Sequence, residues 1–448
     1  MGPRRPIRYL TTILGVTAMA SLAAIPLAGV TASAGTVAAT VRMTPAARPG
    51  GTPPYQKTSG PQDGSFPCQS ASFLLPCYTP ALIRQAYDIP ANLTGAGETI
   101  AIIDAFGDPT LQSDLNTFDA TFGLAATTVN VICATTCPTF NPANADEVVW
   151  ASEISIDVQW AHAIAPGAAI DLVIAASDAD PDLLAAQQYV VGHNLGDVLS
   201  QSFGEAETCM DPGIFAAQHK AFEVAAAEHM TVFASSGDAG SALADCTGDG
   251  GFIQSASTPA SDPLVTGVGG THLNADFTTG QYQSESVWND SGKTFDIGAG
   301  GGGYSTKVSR PLYQILANHT QFRGVPDVSY DGDFFGGVLS VCSECSGTFG
   351  GFIIAGGTSA GSPQWAGIAA LADQGAGHRL GLLNPSLYAV AAVPATYKYA
   401  FHDVVTGNNA WDVAGVPGYS AAPGWEPATG LGTPDAAHLI HLLTFGKA

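Results

Sequence analysis

Residues 98–104 form a short apolar run that closes on Asp104, with no alternation of polar positions inside it. Such a run predicts a strand buried on both faces. Runs of the same kind recur at 169–175, 198–203, 231–234 and 264–268, and Ala-rich stretches such as 214–229 separate them. Strands alternating with helices predict a mostly parallel sheet flanked by helices on both faces, an α/β class, in a single domain over 78–448. Within 147–165, Trp150, Ile154, Val158 and Ala161 fall at helical spacing, and the pattern stops before Pro166 and Gly167.

The first 77 residues read differently. Arg4, Arg5 and Arg8 precede a long apolar stretch, and Ala32, Ser33 and Ala34 make an A-x-A cleavage pattern. Residues 1–34 are therefore expected to be a secretory signal peptide, leaving a secreted, extracellular chain with no membrane contact after its removal. Residues 35–77 are rich in Ala, Thr, Pro, Gly and Ser and are expected to be a low-complexity lead-in, or short pro-segment, without a core of its own.

Charge removes one class of function. The 448 residues carry 15 Lys+Arg against 38 Asp+Glu, a net charge of −23, which would repel a phosphate backbone, so no nucleic-acid partner is expected. The Gly-rich stretch 298–303 lacks the Lys-Ser/Thr of a phosphate-binding loop. Eight cysteines fall into local couples, Cys68/Cys77, Cys133/Cys137, Cys209/Cys246 and Cys342/Cys345, and four disulfides are expected, in keeping with export. For Cys342 and Cys345 a redox motif or half a zinc site is the alternative reading.

Candidate chemistry enters at three places. On the helix expected at 147–165, Glu153 and Asp157 stand four apart, so both carboxyls share one face. By itself that pair is equally a solvated acidic surface. Ser359 follows Gly356, Gly357 and Thr358 at the mouth of an apolar helix, with Pro363 and Gly367 downstream, placing a hydroxyl at a positive helix end. Its plain reading is an N-cap. Asp238 lies in Ser-Gly-Asp-Ala-Gly just after the 231–234 strand, where an ordinary turn residue would also serve.

The spacing Gly-Thr-Ser-x-x-x-Pro-x-x-x-Gly around Ser359 resembles the nucleophile segment of subtilisin-like serine peptidases, and Asp104 resembles their aspartate segment. None of the ten histidines sits in a His-Gly-Thr-His setting, so Asp104 has no imidazole to orient. Glu153 with Asp157 instead resembles the sedolisins, the serine-carboxyl peptidases. The likeness runs from about Pro76 onward and takes in the segments at 78–87, 200–204, 236–240, 267–271, 300–303 and 326–329.

That resemblance implies a subtilisin-like fold and a peptidase that cleaves polypeptides as a monomer. Ser359 would be the nucleophile, Glu153 the base, Asp157 its support and Asp238 the oxyanion partner. A carboxyl can donate there only while protonated, so an acidic working range is expected. Ser202, Phe203 and Gly204 would form the edge on which an extended substrate pairs. One calcium ion would be held by the side chains of Asp403 and Glu426 and the carbonyls of Val404, Ala422 and Gly424, all oxygen donors. Where Glu426 stands the family usually has Asp. The family also usually carries a large folded pro-domain, and only the short lead-in precedes the peptidase domain in this sequence. An endopeptidase is the expected activity; a tripeptidyl-type exopeptidase, or a non-catalytic secreted binding protein on the same scaffold, are the alternatives.

Overall fold

The computed structural model describes residues 44–45, 55–61, 66–69, 75–291, 298–346 and 351–445. The expected leader at 1–34 lies outside the described residues. The central sheet is built from β1 (Thr99–Ala105), β2 (Asn130–Cys133), β3 (Ala169–Ala175), β4 (Val198–Gln201), β5 (Thr231–Ser235), β6 (Thr266–Ala275), β7 (Tyr282–Val287) and β8 (Val328–Asp331). Their order is β7-β6-β5-β4-β1-β3-β2, with β8 also on β6. Every pairing is parallel except β6 with β7. The apolar runs are the reason: Ile100, Ile102 and Ile103 of β1 and Leu172 and Val173 of β3 are buried from both sides.

Two helices cover one face, α1 (Ala145–Ile164) and α2 (Thr358–Ala376). They cross closely because Gly367 has no side chain there: a Cβ would stand 2.7 Å from that of Ile164. The helices Asp180–Gly192 and Pro212–Ala227 cover the other face, burying Leu183, Val190 and Phe222 against the sheet. Among the described residues no helix is long and apolar enough to cross a membrane.

Sequence reading and structure differ at three boundaries. The 198–203 run breaks at Ser202, and Phe203–Ala206 forms a separate strand paired with Ser257–Thr258. The 264–268 run starts its strand only at Thr266 and continues to Ala275. The fold also begins before residue 78. Tyr55–Lys57 adds to the edge strand Phe352–Ala355, and Phe66 is buried against Phe122 and Phe352. Low complexity hid this because a few apolar residues docking on a core made elsewhere need no core of their own. All four expected cysteine couples are disulfides, so Cys342 and Cys345 are bonded to each other and offer no thiolates to a zinc ion.

Candidate active site

The carboxyl ends of parallel strands are where an α/β sheet leaves its loops free to carry chemistry, and the candidate residues gather at the ends of β1, β4 and β5. Asp104 is near the end of β1, Ser202 follows β4, and Asp238 follows β5. From the helical face, α1 brings Glu153 and Asp157, and α2 brings Ser359 in its first turn.

Helix α1 is held rigidly. Asn144 caps it by accepting from the Asp146 N–H, and both faces are buried along 150–164. Gln159 exchanges two hydrogen bonds with Val341, at 2.7 and 2.8 Å, and the Trp160 indole N–H donates to Ser340 Oγ at 3.0 Å. Carboxyls on so constrained a helix have little freedom to reach water.

Helix α2 begins after Gly357, whose φ of 98° is a left-handed conformation suited to glycine, and a Cβ there would stand 2.3 Å from Asp238 Oδ2. Asp238 Oδ1 accepts from the Thr358 N–H at 2.7 Å and from the Thr358 hydroxyl at 2.9 Å. Its carboxyl is thus fixed beside the first turn of α2, where the backbone N–H groups have no helical partner. The Gly-rich stretch supports it from behind: the Ala299 N–H donates to the Asp238 carbonyl at 2.9 Å and the Gly301 N–H to that of Gly237 at 2.7 Å.

Pro363 has no N–H to give to the Ser359 carbonyl one turn earlier. That carbonyl faces the Ser202 hydroxyl at 3.4 Å, although the hydroxyl's nearer acceptor is Asp157 Oδ1 at 2.8 Å. The Ser359 hydroxyl lies 3.4 Å from the Ser202 carbonyl, and the buried Glu153 carboxyl, neither of whose oxygens has a hydrogen-bond partner, lies near enough for Ser359 to influence its titration. Ser359, Glu153, Asp157, Asp238 and Ser202 therefore share one buried site.

Electrostatics follow from that burial. Desolvation first, and the charge of Asp157 second, raise Glu153 well above an ordinary carboxyl, while the nearby Ser359 hydroxyl pulls it back and Asp238 pushes further up. Asp157 is raised by burial and then by Asp104, and the Ser202 hydroxyl opposes both. Asp104 is itself fully buried and raised by burial and by Glu153. Crowded acids of this kind titrate as a unit and share protons. Asp104, which sequence reasoning leaves idle for want of a histidine, is the third carboxyl of the row. Its signal was present, a carboxyl closing a fully apolar strand.

Of the three residues expected on the substrate edge, Phe203 and Gly204 pair their backbones with Pro45 and Thr44. Ser202 differs in its side chain, which turns inward to Asp157.

The expected calcium residues lie on two adjoining loops. The Gly424 N–H donates to both oxygens of Asp403, at 3.1 and 3.2 Å, and the Tyr397 hydroxyl donates to Oδ1 at 2.9 Å. Glu426 turns into its own loop, accepting from the Ala428 N–H at 2.7 Å, the Thr429 N–H at 3.2 Å and the Thr429 hydroxyl. Burial chiefly, with Asp403 adding a smaller push, raises Glu426 to about 7. The expected donors are all oxygen, which fits a hard cation in kind, and the charge of Asp403 acts on Glu426 across the two loops.

No protein-family model matches the chain. Among curated proteins, kumamolisin of Bacillus sp. (strain MN-32) is 35% identical over 395 residues, covering 85% of this chain and 66% of that protein. Sedolisin of Pseudomonas sp. (strain 101) is 32% identical over 379 residues, covering 81% and 60%. The chain thus spans less than two thirds of the length of these relatives. The solved structure of Pseudomonas sedolisin, a serine-carboxyl proteinase complexed with two molecules of pseudo-iodotyrostatin, superposes with a TM-score of 0.73 at 30% identity, over 84% of this chain and all of that one. The chain belongs to the sedolisin family, with its subtilisin-like fold.

Proposed function

We propose that the protein is a secreted, acid-acting serine-carboxyl endopeptidase. The observation that carries this reading is the Ser359 hydroxyl beside the unpartnered, buried carboxyl of Glu153 in a row of buried acids. Glu153, in its ionised form, takes the Ser359 proton as the hydroxyl oxygen attacks a peptide carbonyl. The tetrahedral oxyanion is held by the Ser359 backbone N–H and by a protonated Asp238. Glu153 then passes its proton to the leaving amine, the C–N bond breaks, and an acyl-Ser359 ester remains. Water repeats the sequence in reverse and restores the hydroxyl.

This scheme needs one acid ionised and another protonated at the same pH, which burial and mutual repulsion make possible. Asp157, steadied by the Ser202 hydroxyl, keeps Glu153 raised and oriented. A bound calcium would tie the Asp403 and Glu426 loops together, through those two side chains and the Val404, Ala422 and Gly424 carbonyls. Export is supported by the leader pattern and the four disulfides.

Relatives named tripeptidyl-peptidases, such as one of Arthroderma otae at 32% identity, make an exopeptidase the second reading. Comparing wild type with Ser359→Ala on acid-denatured casein at pH 3–5 tests the assignment. Internal fragments from the wild type alone support it; equal fragmentation by both rejects it.

A further inference from the structure

Asp333 lies two residues past the end of β8, and its carboxyl is buried. Two donors hold it: the Phe335 N–H reaches Oδ1 at 2.8 Å, and His272 Nδ1, on β6, reaches Oδ2 at 2.7 Å. The His272 side chain is 39% exposed, so an imidazole open to solvent meets a buried carboxyl at the rim of a small cavity that Asp290 also lines. Burial pushes Asp333 up, but the hydrogen bond and charge of His272 outweigh it, with Asp290 and the Phe335 N–H helping, and the carboxyl stays below its ordinary value. Asp331 also feels the charge of Asp333, and Glu285 and Asp403 line the groove that His272 borders.

The pair adjoins the two backbones that hold the reacting groups. On one side, the N–H groups of Gly332 and Asp333 both donate to the Thr271 carbonyl, at 2.9 and 3.2 Å, and the Gly332 carbonyl accepts from the Gly357 N–H at 2.7 Å. Gly357 precedes Thr358 and Ser359, so this last bond fixes where α2 starts. The fit is close, since a Cβ on Gly332 would stand 3.0 Å from the Gly357 carbonyl oxygen. On the other side, the Trp288 indole N–H donates to Asp290 at 3.1 Å, the Asp290 N–H to the Gly298 carbonyl at 2.8 Å, and the Ala299 N–H to the Asp238 carbonyl at 2.9 Å. A displacement of about 1 Å at a reacting atom can lower a rate about a hundredfold.

We propose that His272 is a positioning residue for Ser359: through Asp333 it fixes the Gly332 carbonyl that anchors the start of α2. Resting on the peptidase reading of Ser359, the inference adds a cation, apart from the row of acids, on which the nucleophile's placement depends. An imidazole beside a carboxylate keeps its second proton in acid, so the clamp is closed where such an enzyme works. Without that charge, the buried Asp333 carboxyl takes up a proton at low pH and stays in place. At higher pH it ionises, moves toward water and draws Gly332 with it. The damage therefore grows as pH rises.

Two full-chain variants test this. His272→Gln keeps a donor and removes the charge; adding Asp333→Asn removes the charge left behind. In a Ser359→Ala background, amide hydrogen exchange of the 357–362 segment is expected to be about tenfold faster with His272→Gln than without it at pH 6, and equal at pH 3. With Ser359 intact, kcat on an internally quenched peptide is expected to fall about tenfold at pH 6 and little at pH 3, with KM unchanged. Adding Asp333→Asn should restore both quantities at pH 6. Equal exchange at pH 6 overturns the anchor, and faster exchange with unchanged kcat overturns the positioning role. A defect of the same size at both pH values, or one that Asp333→Asn does not relieve, reduces His272 to packing and overturns the proposal as well. If exchange differs as expected but the Ser359-intact protein cleaves nothing, the anchor stands and the peptidase reading fails.

Discussion

The Ser202 hydroxyl donates to Asp157 Oδ1 at 2.8 Å, linking the strand that would receive a substrate to the acid that supports the base. This bond favours the ionised form of Asp157 against burial and the charge of Asp104. Ser202→Ala removes it and raises Asp157 further. Asp157 then holds its proton more readily, its charge pushes Glu153 up less, and the acid limb of the kcat/KM profile is expected to move to lower pH; kcat is expected to fall about tenfold, with KM little changed because the backbone of residue 202 remains. A profile overlying that of the wild type would leave the hydroxyl a purely structural role.

Asp104→Asn makes the opposite change. It preserves shape but deletes the charge of Asp104 acting on Asp157, so Asp157 ionises more readily, its charge raises Glu153 further and the acid limb moves to higher pH. Shifts of opposite sign in the two variants, measured on one peptide, are the expected result. An unmoved limb in Asp104→Asn would mean that this buried carboxyl only packs.

How much of this was legible follows from what each residue's signal depends on. Cys133 and Cys137, or Glu153 and Asp157, are close in sequence, and local spacing exposes them. The β1 and β3 runs are legible because burial on both faces leaves no polar position. Ser202 was legible as a place and not as a direction, because a strand break at residue 202 decides which way its hydroxyl points. The pairing of Thr44 with Gly204 spans 160 positions between two short segments, and no local pattern encodes such a contact. Phe66 illustrates the same limit: one aromatic in a Pro- and Gly-rich stretch shows nothing until the surface it fills exists.

Stability should favour acid. Burial raises Asp108 to about 6, Asp373 to about 7 and Glu205 to about 8, all above their ordinary values near 4. The folded chain therefore binds more protons than the unfolded chain between about pH 4 and pH 8, and stability falls as pH rises through that window. The melting temperature is expected to be highest near pH 4 and to drop by roughly 5 °C or more by pH 8. A higher melting temperature at pH 8 than at pH 4 would contradict these environments.

If calcium is bound between the Asp403 and Glu426 loops, chelation removes a ligand specific to the folded state. EDTA should lower the wild-type melting temperature by on the order of 5 °C at pH 6, with calcium restoring it, and should leave Asp403→Ala unaffected. Equal responses in the two proteins would place any bound ion elsewhere.

The direct test of the central claim is the Glu153→Gln variant, which keeps the size of the side chain and removes its ability to accept the Ser359 proton. Measured on an internally quenched peptide from pH 3 to pH 7, with thermal melts to establish that it folds, its kcat is expected to fall by about 10³-fold or more at every pH. A folded Glu153→Gln protein that retains activity within a few-fold of wild type would show that a carboxylate at this position does not activate the serine.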